Sequence, residues 1–267
     1  MSNRNPVYHP RLFVHLPYED FPQYSALLAA HRQQPELYIS AAVLDGGVAA
    51  IAAESVGAQL RELGMSCTVH APYHDMAPGS PDPQFRTVTR QRLQGTLAMA
   101  VQLGCRVMVA HAGFDTRRHG YMISEWLTRA VNTWLPLGDL AAKHNILLAL
   151  ENVYEYGPEP VVELVSRLNH PWIGGCFDVG HVACFSRTPM TAWLAAFGPY
   201  IRHLHLHDNL GEHDDHWGLG RGMADLARVG EFLETVQPPP TLTIEGHGLE
   251  HVLASVAYIE QHGWLRS

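Results

Sequence analysis

Short apolar runs rich in β-branched and aromatic residues alternate along this chain with longer stretches whose apolar positions recur every three or four residues. The first pattern reads as strands and the second as amphipathic helices. Candidate strands fall at 11–16, 36–40, 65–70, 105–111, 145–151, 172–178, 201–207 and 241–245. Helical periodicity fills 45–64, 91–104 and 124–144, and Gly64 and Gly104 stand where a C-terminal glycine cap belongs. Eight strands alternating with helices predict a closed parallel (β/α)8 barrel, the TIM-barrel architecture, as one domain over residues 1–267. An open doubly wound sheet is the alternative. Its dinucleotide-binding version is disfavoured, because no Gly-x-Gly-x-x-Gly follows the first strand.

The seventh run, "IRHLHLH", alternates strictly. His203, His205 and His207 fall on one side of an extended chain, and Leu204 and Leu206 on the other. Leucines facing the helices and imidazoles facing the barrel axis is the arrangement this predicts. His205 is the candidate ligand, His207 is assigned to substrate or to support of the ligands, and His203 to core packing.

Composition changes this picture in one respect. The chain holds 18 histidines, as many as lysine and arginine together. With 46% hydrophobic residues it can build a large core, and a net charge of -8 argues against a broad basic surface for nucleic acid. Cys67, Cys105, Cys176 and Cys184 form no Cys-x-x-Cys pair and read as small core residues. "MSNRNPVYHP" has no apolar signal region and no run approaches a membrane span, so a reducing cytoplasm is the expected compartment.

The strand ends carry the candidate chemistry. His70 closes the third run, His111 the fourth, Glu151 the fifth and Asp178 the sixth; His205 lies near the end of the seventh, and Glu245 closes the eighth. Parallel strands converge at one mouth, where barrel enzymes place their reactions. Carboxylates gathered there repel unless cations compensate them. Histidines and carboxylates without thiolates suit divalent zinc or manganese. His181, three residues after Asp178, and Asp214 and His216 on the loop after the seventh strand extend the set.

The motifs "VHAPYH", "VAHAG", "LALEN", "CFDVGH", "HLHLHDN", "DDHWGLGRG" and "LTIEG", spread over residues 65 to 246, resemble the xylose isomerase-like TIM-barrel superfamily. Within it they are most similar to the endonuclease IV branch. The resemblance implies up to three zinc ions. His70, His111 and Glu151 would hold the first. Glu151 would bridge to a second, bound by Asp178, His205 and Glu245. His181, Asp214 and His216 would hold the third. It also implies phosphoester hydrolysis by a metal-activated hydroxide, with Glu151 and Glu245 as the catalytic carboxylates, Glu245 orienting that hydroxide. Arg221 replaces an acidic residue of the family's glycine-rich turn, and serves as the candidate phosphate clamp. Tyr73 is a candidate stacking contact for a base or sugar.

The nine-residue ligand set makes a metal-dependent phosphodiesterase the leading expectation. A small phosphorylated or sugar substrate is expected ahead of DNA, because "YISAAVLDGG" lacks the polar and aromatic loop that DNA repair members insert into the duplex. The alternative is a sugar or sugar-phosphate isomerase or epimerase. It needs only Glu151, Asp178, His205 and Glu245, with Glu155, Arg187 and His181 as substrate contacts. A binding protein with a relict site is the third reading.

Overall fold

The computed structural model describes residues 8–46 and 52–265. Eight parallel strands close into a barrel in chain order: β1 (Leu12–Pro17), β2 (Gln34–Tyr38), β3 (Thr68–His70), β4 (Val107–His111), β5 (Leu147–Glu151), β6 (Ile173–Asp178), β7 (Ile201–Leu206) and β8 (Thr241–Ile244). This is the (β/α)8 TIM barrel that the alternation predicts. The ring closes where β1 pairs with β8, Leu12 beside Leu242.

Two layers follow from the period-two pattern. Leu204, Leu206, Phe177 and Ile244 are fully buried, and they join one apolar cluster with Trp126, Trp134 and Trp193 from the helices. Burying each such leucine contributes about 1.5–3 kcal/mol. The residues that alternate with them are inward and largely polar. Glu36, Thr68, His203, His205 and Thr243 are all buried within the barrel.

The long helices Pro83–Leu103 and Ile123–Ala142 lie close to their predicted spans. The helix expected over 45–64 is shorter, Ala53–Leu63, preceded by a four-residue turn of helix at Ala41–Leu44. Gly46 there has φ of 72°, which ends that turn, and residues 47–51 of the expected helix lie outside the described residues. Gly64 and Gly104 do cap their helices, with φ of 67° and 78°. All four cysteines are free, three of them buried. Among the described residues no helix is long and apolar enough to cross a membrane.

Strand register brings the polar strand ends level. His111 pairs with Glu151 across β4 and β5, and Asp178 with His205 across β6 and β7. Residues far apart along the chain thus become neighbours at one rim.

Candidate metal centre

Among the described residues four groups of candidate donors gather, the ligand atoms within each lying within 4.8 Å of one another; one, Cys176, His203 and His205, is wholly buried, and the other three meet at that rim. The first is His70, His111 and Glu151. The central group is Glu151, Asp178, His205 and Glu245. The outer group is His181, His207, Asp214 and His216. The nine residues expected as ligands are therefore gathered, and His207 joins them.

Backbone contacts aim the rings. In His70, Nδ1 lies 2.6 Å from the Ala71 carbonyl oxygen, so it carries the proton and donates it there. Nε2 is then free and points at Glu151 Oε2, 3.0 Å away. His181 Nδ1 donates to the Asn152 carbonyl at 2.9 Å and His216 Nδ1 to the Glu245 carbonyl at 2.7 Å. Their Nε2 atoms both face Asp214 Oδ2 at 3.4 Å. A metal-binding imidazole is normally fixed this way, one nitrogen spent on the protein and the other offered to the ion.

Asp178 performs two tasks. One carboxylate oxygen, Oδ1, accepts the His181 N–H at 2.6 Å and caps the helix Val179–Phe185. The other, Oδ2, is buried without a hydrogen-bond partner. His205 Nδ1, both ring nitrogens of His207, and Asp214 Oδ1 are likewise buried and unpartnered. Burying such atoms bare is costly, and all of them belong to the central or outer group. Divalent cations fit this donor set, and zinc fits its mixture of imidazole and carboxylate.

The charges of the metal-free site point the same way. Burial alone would raise the Glu245 carboxyl, but His205, His15 and His216 outweigh it and hold the group at about 2. Burial likewise opposes the charge on Glu151, and His205, His111 and His70 still hold its carboxyl well below the usual range. Against their burial, His181 is held well above the usual imidazole value by Asp178, Asp214 and Glu151, and His205 by Cys176, Glu245 and Glu151. His111 differs: burial dominates and pushes it down to about 4, which leaves a neutral ring ready to bind an ion.

The sequence pattern missed one residue beneath this site. Glu36 on β2 is fully buried, and its Oε1 lies 2.9 Å from His205 Nε2. The approach is oblique rather than aligned as a hydrogen bond. Oε2 accepts from Thr68 Oγ1 at 2.7 Å and from Thr243 Oγ1 at 3.1 Å, and lies 3.2 Å from His203 Nε2. Glu36 opens its run, and only the burial of the strand shows that its carboxylate must be satisfied inside the barrel.

A cleft of about 860 Å³ opens above the donors. Tyr73 lines it, its ring stacked on Tyr38 at 4.9 Å and on His111 at 5.3 Å. His15 and His247 line it too, and neither stood out in the sequence. Three expectations are corrected. Arg221 is exposed and is not among the cleft residues. The cleft's arginines are Arg117 and Arg118 instead. His207 is fully buried under the outer group and offers no surface to a substrate. Glu155 is buried and Arg187 lies flat on Tyr156 at 3.7 Å, and neither lines the cleft.

The model of the xylose isomerase-like TIM-barrel family matches residues 33–267. The chain belongs to that family. It is similar to the TTHB071 protein from Thermus thermophilus, solved after soaking with ZnCl2, at 28% identity and a TM-score of 0.79 over 94% of this chain and 97% of that one. It also resembles a D-tagatose 3-epimerase-like protein at 21% identity and a TM-score of 0.82, covering 94% and 96% of the two chains. The uncharacterized protein MJ1311 of Methanocaldococcus jannaschii is 26% identical over 201 residues, 73% of this chain and 69% of that protein.

Proposed function

We propose that this chain is a metal-dependent isomerase or epimerase acting on a sugar or a similar polyhydroxy carbonyl compound. The observation that carries the reading is the pairing of Glu151 and Glu245. They rise from β5 and β8, three strands apart in a ring of eight, and each places Oε1 3.3 Å from His205 Nδ1. Two ionised carboxylates thus flank one position in the central group. The likeness to a D-tagatose 3-epimerase-like protein supports the same class.

A divalent ion held by Glu151, Asp178, His205 and Glu245 would supply Lewis acidity to a carbonyl and its neighbouring hydroxyl. The rest is the work of the chain's own groups. One glutamate oxygen removes the proton from the carbon beside the carbonyl. The other glutamate, first protonated by water in the cleft, delivers that proton to the opposite face for epimerisation, and the first then releases its own to solvent. Tyr73 closes one side of the cleft and shields the position from water.

Charge separates this from the phosphodiesterase expectation. The mouth holds four carboxylates, Glu151, Asp178, Asp214 and Glu245. One divalent ion in the central group and one in the outer group neutralise them, which suits an uncharged sugar. A third ion, in the His70, His111 and Glu151 group, leaves the mouth cationic and suits a phosphoester. That first group is the specific observation favouring hydrolysis as the second reading.

Incubating metal-replete protein with a panel of ketoses and ketose phosphates in D2O tests the proposal. Deuterium uptake beside the carbonyl, with appearance of the isomer or epimer, is the expected outcome. Turnover of small phosphodiesters or abasic-site DNA without such exchange, at three ions per chain, would replace it with the second reading.

A further inference from the structure

We propose that His181, His207, Asp214 and His216 form a closed, four-donor zinc site that fastens the loop after β7, rather than a further reactive position at the mouth. The family resemblance assigns three of these residues to an ion. The fourth donor changes the character of the site, and the inference holds whichever reaction the central group performs.

His207 is the decisive residue. Its ring is fully buried, and neither nitrogen has a hydrogen-bond partner. Nε2 lies 3.1 Å from Asp178 Oδ1 and 3.7 Å from Asp214 Oδ1, and the latter oxygen is itself unpartnered. Burying an imidazole with both nitrogens bare is costly. The fold goes out of its way to keep it there. A Cβ at Gly180 would collide with the His207 ring, so glycine in "DVGH" leaves the space the imidazole fills. His207 also stacks on His216, with ring centres 3.9 Å apart and planes within 4°.

The other donors converge on the same point, with the Nε2 atoms of His181 and His216 turned to Asp214. Four protein donors fill the tetrahedral shell of zinc. Reactive zinc sites instead keep one position for water or substrate. The four side chains are 6%, 0%, 30% and 17% exposed in chain order, so little solvent reaches the ion's place.

The geometry also shows what such an ion would hold. His181 leaves β6 and His207 leaves β7, whereas Asp214 and His216 sit on the long loop that follows. His216 is bent into the left-handed region, φ 53°, a conformation costly for a residue with a side chain. The bend turns its ring inward. The far part of the loop is already braced, because the Asp208 carboxylate accepts the N–H groups of Gly220, Gly222 and Ala224. Around 210–216 the anchors are fewer: Gly211 donates to Asn209, and His216 contacts the Glu245 and His247 backbone.

The test isolates the site. Glu151→Gln removes a donor from both other groups at the rim and leaves the outer one intact. Titrated with Co2+, this variant is expected to bind one ion tightly, with the intense visible absorption of a four-coordinate ion. Adding His207→Ala should weaken that binding by more than the roughly 100-fold lost with a supporting contact, and shift the spectrum to the weak absorption of higher coordination. No tight ion, a six-coordinate spectrum, or indifference to His207→Ala each overturns the proposal. Wild-type protein gives a second measurement that needs no variant. Zinc in excess of all the candidate sites should slow hydrogen exchange at amides 212–216 by about tenfold or more, and unchanged exchange there overturns the fastening role.

Discussion

Glu36 Oε1 lies 2.9 Å from His205 Nε2 in the barrel interior, while His205 Nδ1 faces Glu151 and Glu245 at the mouth. One imidazole therefore joins a buried carboxylate below to the candidate ion position above. The negative charge beneath the ring makes it more electron-rich toward an ion.

Glu36→Gln keeps the shape and the threonine contacts but removes the charge. Zinc affinity is expected to fall about 10–100-fold, with the fold retained. Chelator competition measures the first and chemical unfolding the second. Glu36→Leu should cost a further ~1–3 kcal/mol of stability, because Thr68, Thr243 and His203 lose their acceptor. Equal zinc affinity in wild type and Glu36→Gln would show that Glu36 only fills the barrel.

Metal binding and protons compete for the same nitrogens. Burial opposes the charge on His216, but Asp214 and Glu245 hold its pKa at about 9. Its folded value is thus raised, so in metal-free protein the charged pair contributes stability below about 6.5 that is lost as pH rises through 9. An ion must displace that proton, and those on His181 and His205 as well. Zinc affinity should therefore increase with pH between about 7 and 9, and binding should release protons. Calorimetry in two buffers of different ionisation enthalpy reads the release directly. A buffer-independent heat would contradict this picture of the site.

Much of this site was legible along the chain because a parallel barrel converts strand order into a ring. Once His70, His111, Glu151, Asp178, His205 and Glu245 are recognised as strand ends, their meeting follows from topology alone. His207 was legible as inward but not as a ligand, since its partners Asp214 and His216 come from a loop whose path no periodicity encodes. Arg221 belongs to the same loop, and it is exposed outside the cleft lining. Glu36 was hidden because a lone glutamate at the start of a run looks like a solvated strand end until the register sets it beside Thr68.

Gly180 gives a steric prediction. Because a side chain there would overlap the His207 ring, Gly180→Ala must move the imidazole or the helix Val179–Phe185. Overpacking of this kind costs about 1–3 kcal/mol. The variant should also lose more affinity at the outer group than at the central group, which shares only Asp178 with that helix. Two-site zinc titration separates the two effects. Equal weakening of both groups would mean that the damage is general.

Glu155 makes the last prediction; it is not itself a proposed ligand. It is only 2% exposed, Oε1 has no partner, and Oε2 accepts the Val153 N–H at 2.6 Å. Burial dominates and pushes its pKa up to about 7 from the ordinary 4.5. In the unfolded chain the group ionises near 4.5, so between these values the folded protein binds the extra proton. Stability from this residue is then fully present below about 4.5 and declines as pH rises through 7, by at most about 3 kcal/mol. Glu155→Gln cannot ionise and removes that slope. Unfolding free energies of metal-free wild type and variant, measured from about pH 5 to 8, should diverge in the variant's favour as pH rises. Parallel curves would show that Glu155 ionises as readily folded as unfolded.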